Sequence, residues 1–124
     1  MPLRTRKLAP VIAALGAAGL LSGCGHTHRV GVNRSVQMTL TEYRLRPQDL
    51  SVSAGTLAIL VHNYGRLTHN LAVTEAGQLV AATNGIPPGQ SAELDLSLAP
   101  GRYQMSSTML SDQSLGLYGT LSVS

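Results

Sequence analysis

The chain has almost no cysteine, almost no lysine and no helical period, and each scarcity excludes something. Cys24 is the one cysteine in 124 residues. A single thiol forms no internal disulfide. Lys7 is the sole lysine, and the sequence pI of about 9.5 owes its basicity to Arg4, Arg6 and Lys7 at the start of the chain. From residue 24 onward, Arg29, Arg34, Arg44, Arg46, Arg66 and Arg102 balance Glu42, Asp49, Glu75, Glu93, Asp95 and Asp112. That balance implies no basic face and no nucleic-acid partner. Phosphate-binding glycine loops, paired-carboxylate signatures and zinc-ligand spacings are missing too. The uncharged run Leu8–Leu21 is too short to cross a bilayer as a stable helix.

That run has another use. It follows a basic start and precedes LSGC, Leu21 to Cys24. Basic start, apolar core and small residues before a cysteine make a cleavable signal, and LSGC resembles the bacterial lipobox. The expectation is a signal peptide over residues 1–23, with lipid on Cys24. Two acyl chains anchor stably, since each buried methylene contributes roughly 0.8 kcal/mol. The protein is then held at the cell membrane on its extracytoplasmic face, and its folded part has no thiolate for a metal or a nucleophile. Residues 24–35, GHTHRVGVNRS included, read as a polar tether carrying His26 and His28.

From Val36 to Ser124 the period is two. VQMTLTEYRL sets Val36, Met38 and Leu40 against Gln37, Thr39 and Thr41, and predicts one half-buried strand ended by Pro47. TLAILVHN, Thr56 to Asn63, is nearly continuously apolar and predicts a strand covered on both faces. LTHNLAVTE alternates again. SAELDLSL points Ala92, Leu94, Leu96 and Leu98 inward. Adjacent prolines keep GIPPGQ out of any central strand. Short strands separated by Gly/Pro turns indicate an all-β sandwich. LAPGRY resembles a tyrosine corner, with the Tyr103 hydroxyl tying down the turn.

Three stretches carry a resemblance. They are EYRLRPQDLSVSAGTLAILVHNYGRLTHNLAV, PPGQSAELDLSLAPGRYQM and GLYGTLSV. In this order and spacing they resemble the cupredoxins, the plastocyanin- and azurin-type Greek-key copper sandwiches. Such a blue-copper site takes two imidazoles, a thiolate and a weak axial thioether. The resemblance places His69 at the first histidine. It places Ser107 at the cysteine, Asp112 at the second histidine and Leu117 at the methionine, five residues apart. Three of four ligands are thereby replaced. No cysteine or histidine occurs from Tyr103 to Ser124, so a register shift restores nothing.

Two functional readings follow. In the first, the domain holds no cofactor, is not an enzyme, and is a binding module for an envelope protein or small ligand. Ser106, Ser107, Thr108, Met109, Leu110 and Leu115 give its long loop the mixed polar and apolar surface that recognition uses. In the second, copper or electron transfer persists at a non-standard site built from His69 with Asp112, Met109 and Met105, or with the tether histidines. Ser107 or Ser106, His69 and Asp112 also supply the residue types of a nucleophilic triad, without any positioning motif.

Overall fold

The structure is a computed structural model and describes residues 27–124. Cys24, His26 and the expected signal peptide lie outside the described residues. Among the described residues, ten strands form two sheets. They are β1 (Thr27–Arg29), β2 (Ser35–Thr41), β3 (Arg44–Arg46), β4 (Asp49–Val52), β5 (Gly55–Asn63), β6 (Ala72–Glu75), β7 (Gln78–Ala82), β8 (Ser91–Leu98), β9 (Gly101–Ser106) and β10 (Tyr118–Val123). One sheet has the order β1-β4-β10-β9-β6-β7 and the other β3-β2-β5-β8. The expected all-β sandwich is the fold. No helix among the described residues is long and apolar enough to cross a membrane.

Alternation builds the core. Val36, Met38 and Leu40 of β2, Leu94, Leu96 and Leu98 of β8, and Leu121 and Val123 of β10 are buried between the sheets. Burying one such side chain fully contributes about 1.5–3 kcal/mol. The Tyr103 hydroxyl donates to Ala99 O at 2.7 Å, as a tyrosine corner requires.

Three expectations need correction. The strand read through VQMTLTEYRL is a hairpin. Leu40 pairs with Leu45 and Thr41 with Arg44, so Glu42 and Tyr43 leave the pleat as its turn. β5 is covered on one face only. Leu57, Ile59 and Val61 are buried while Leu60 is 40% exposed. It is central in its sheet, but a two-layer sandwich leaves each sheet's outer face to solvent. Finally, part of the polar stretch read as tether is strand. Thr27–Arg29 pairs in parallel with β4, and Val30 N donates to Ser51 O at 2.8 Å. Backbone pairing at a sheet edge needs no apolar side chain, which hid it from the sequence pattern.

Candidate functional site

The segment between β5 and β6 carries His69 and is fixed by a buried amide. Asn63 ends β5. Its Nδ2 donates to Leu67 O and Ile86 O, each at 2.8 Å. Its Oδ1 accepts from Gly65 N at 2.7 Å. Every polar atom of that side chain is used, so the turn after β5 is determined. His69 then pairs with Ile86 as an isolated bridge, with Ile86 N donating to His69 O at 2.6 Å. The strand foreseen over LTHNLAVTE therefore begins only at Ala72.

The His69 side chain has no exposed surface. Its Nδ1 lies 2.7 Å from Asp112 Oδ2 and its Nε2 lies 2.5 Å from Glu42 Oε2. The Tyr43 ring stands edge-on to it at 6.4 Å. Glu42 also accepts from the backbone N–H of Arg66 at 2.7 Å. On the other side, Ser107 Oγ lies 2.6 Å from Asp112 Oδ2 and 3.0 Å from Asn70 Oδ1. The hydroxyl has one proton, and the shorter contact to the charged acceptor takes it. Asn70 Oδ1 accepts instead from Thr108 N, at 2.7 Å.

Electrostatics follow from this arrangement. Burial pushes the His69 pKa down, but hydrogen bonds to Asp112 and Glu42, with their charges, outweigh it and hold it above the usual 6.5. Glu42 is held below 4.5, first by the Arg66 backbone N–H and then by the His69 hydrogen bond. A neutral imidazole has one N–H, whereas this one faces an acceptor at each nitrogen. Only the protonated ring satisfies both.

Of the positions singled out in the sequence, His69, Ser107 and Asp112 come together as one hydrogen-bonded chain. Leu117 stands beside them through backbone bonds, donating its N–H to Asp112 O at 2.9 Å and accepting from Ser107 N at 3.1 Å. Its side chain is wholly in the core. Met105 is buried in the core from β9. Met109 is half-buried and lies beside Gly85. Neither methionine is among the hydrogen-bonding partners of the ring. His28 is exposed on β1. No nucleophilic triad forms, because Asp112 stands between serine and imidazole while Glu42 takes the far nitrogen.

The residues present do not fit a blue-copper ion. The positions that the resemblance assigns to thiolate, second imidazole and thioether carry a hydroxyl, a carboxylate and a buried leucine. The two carboxylates hold opposite nitrogens of one ring, so they cannot share an ion with it. Among the described residues, no group of three or more His, Cys, Asp or Glu is arranged to hold a metal. Sequence reasoning missed Glu42 and Asn70. Glu42 had a signal: it continues the inward parity of Val36, Met38 and Leu40, and an inward carboxylate demands a partner.

The family model for the cupredoxin-like domain matches residues 11–117, and the chain belongs to that family. Reduced auracyanin from Roseiflexus castenholzii is similar in structure, with a TM-score of 0.68 at 18% identity over 76% of this chain and 99% of that one. A structure of rusticyanin variants also gives 0.68, at 15% identity over 88% of this chain and 92% of that one. In sequence, the chain is similar to the iron uptake system component EfeO of Escherichia coli K12, 24% identical over 98 residues. That match takes in 79% of this chain and 26% of the relative, so the chain spans about a quarter of the length of the curated relatives it matches.

Proposed function

We propose that this protein is a cupredoxin-like binding module of the cell envelope, in which a hydrogen-bonded chain takes the place of the blue-copper ligands. The observation that carries the reading is Asp112 Oδ2, placed 2.7 Å from His69 Nδ1 and 2.6 Å from Ser107 Oγ. Two of the three positions assigned to replaced ligands, Ser107 and Asp112, bind each other, and Asp112 binds the histidine. The module is not an enzyme, and it carries no resident metal. Its working surface is the long loop, where Leu110 and Leu115 are exposed above the buried chain. LSGC supports lipidation of Cys24 and attachment to the extracytoplasmic face of the membrane. The similarity to an iron uptake component supports a place beside metal-uptake machinery, with an envelope protein or small ligand as partner.

The test is titration of the purified protein with Cu(II) and Cu(I), by calorimetry and visible absorption, on wild type and His69→Ala. The expected result is no intense thiolate-copper band and no His69-dependent binding tighter than about 1 µM, roughly −8 kcal/mol. Tight binding that disappears in His69→Ala establishes instead the copper-handling reading around His69.

A further inference from the structure

The ring of His69 joins three segments distant in sequence. Glu42 comes from the β2–β3 turn, His69 from the β5–β6 segment and Asp112 from the long loop before β10. Both ion pairs found among the described residues are on this one ring. The groups facing it are Glu42, Asp112 and the Tyr43 ring edge, and Arg66 meets Glu42 through its backbone N–H. A cation at this point neutralises two carboxylates and ties the segments together, as a bound metal would in the same fold.

We infer that His69 is the built-in cation of this site, an imidazolium clamp whose deprotonation releases Glu42 and loosens the Arg66–Leu67 segment while the Asp112 side stays shut. The direction of release comes from burial and bonding. The Asp112 side chain is 7% exposed and Glu42 is 22% exposed. Asp112 also accepts from Ser107, and water cannot replace its partner at such depth. The one proton left on a neutral ring therefore stays on Nδ1, facing Asp112. Nε2 then turns a lone pair toward a carboxylate, and Glu42 has solvent to move into. Glu42 Oε2 also accepts weakly from Leu67 N, at 3.4 Å, so its departure frees that amide. Leu67 is half exposed, which puts the loosened segment at the surface. The balance is simple: one proton leaves the ring for water, and no other covalent bond is broken.

This clamp rests on the reading that Asp112 rather than a metal holds Nδ1. The test therefore uses full-length, 15N-labelled protein kept metal-free with EDTA, where copper uptake plays no part. Ring-nitrogen NMR across a pH series reads the protonation of His69. Amide hydrogen exchange reads Arg66 and Leu67. The expected wild-type result is a ring protonated on both nitrogens at pH 6, which on titration keeps its Nδ1 proton. Exchange at Leu67 should rise at the same midpoint. Glu42→Gln should move that midpoint to lower pH. A neutral ring at pH 6 in the wild type overturns the inference, as does a neutral ring protonated on Nε2. A midpoint unmoved in Glu42→Gln also overturns it. If that variant does not fold, the wild-type ring spectrum decides alone.

Discussion

Asp112 Oδ2 meets His69 Nδ1 at 2.7 Å, across 43 residues of sequence. The contact closes the long loop onto the β5–β6 segment, and Ser107 supports it from behind. Removing one member of a buried charged pair strands the other, which costs more than the pair contributes. Asp112→Ala should therefore destabilise the domain by about 3 kcal/mol. Asp112→Asn, which keeps an acceptor of the same shape, should cost less. Urea unfolding at pH 6 measures both. Equal stabilities for Asp112→Ala and wild type would mean that the contact contributes nothing.

The same ring sets the pH profile of stability. His69 is raised above 6.5 in the fold. Its contribution is fully present below 6.5 and is lost as pH rises through the folded value, because the native state then holds a proton the unfolded chain has given up. Glu42 is lowered below 4.5. Its contribution is present above 4.5 and is lost as pH falls through its folded value. The two slopes together predict a plateau between about pH 4.5 and 6.5, falling on either side. Thermal unfolding from pH 3 to 9 checks this. In His69→Gln the alkaline slope should shrink. An unchanged slope there assigns it to other groups.

Much of this fold was legible because a half-buried strand writes itself in alternation. Leu94, Leu96 and Leu98 face inward as their spacing requires, and Tyr103 ties its corner through Ala99. The loop was legible by spacing, since Ser107, Asp112 and Leu117 do sit together. Two things were not. Leu60 looks like core in a run of apolar letters, but sequence does not say whether a second layer covers that face. Glu42 was hidden by distance. Its partner lies 27 residues away, and only the three-dimensional return of the chain brings a turn to the ring. The physical clue was a carboxylate at an inward position, which is a question about pairing and not an answer.

Gly65 offers a second way to reach Glu42. A Cβ at this position would run into the Glu42 carboxylate. That carboxylate is the flexible end of a side chain, so it should swing away instead of forcing the backbone apart. Gly65→Ala should then behave like loss of Glu42, costing about 1–3 kcal/mol and removing most of the Glu42–His69 contact. The double variant with Glu42→Ala should be clearly less damaging than the sum of the two singles. Strict additivity would show that alanine at 65 acts by another route.

Cys24 carries a separate prediction from LSGC alone. Cys24→Ala should leave the protein without acyl chains and move it from the membrane fraction to the soluble one. Mass spectrometry of the purified protein and fractionation of cells check it together. Full retention in membranes would reject lipidation as the anchor.

The most demanding prediction restores the ligands. If Ser107, Asp112 and Leu117 stand where a thiolate, an imidazole and a thioether stand in the blue-copper members, the backbone is already spaced for them. Leu117→Met conserves volume in a fully buried position and should cost under about 1.5 kcal/mol. Ser107→Cys replaces a buried hydroxyl with a thiol of similar shape. Asp112→His removes the carboxylate that occupies Nδ1 of His69 and offers a second imidazole in its place. With all three substitutions the donor set is two imidazoles, a thiolate and a thioether, which suits a blue-copper ion. The triple variant should take up Cu(II) and turn intensely coloured through thiolate-to-copper charge transfer. The variant carrying only Asp112→His and Leu117→Met should stay colourless, since the thiolate is missing. A folded triple variant that binds no copper would show that this loop, despite its spacing, no longer presents those side chains to a common point.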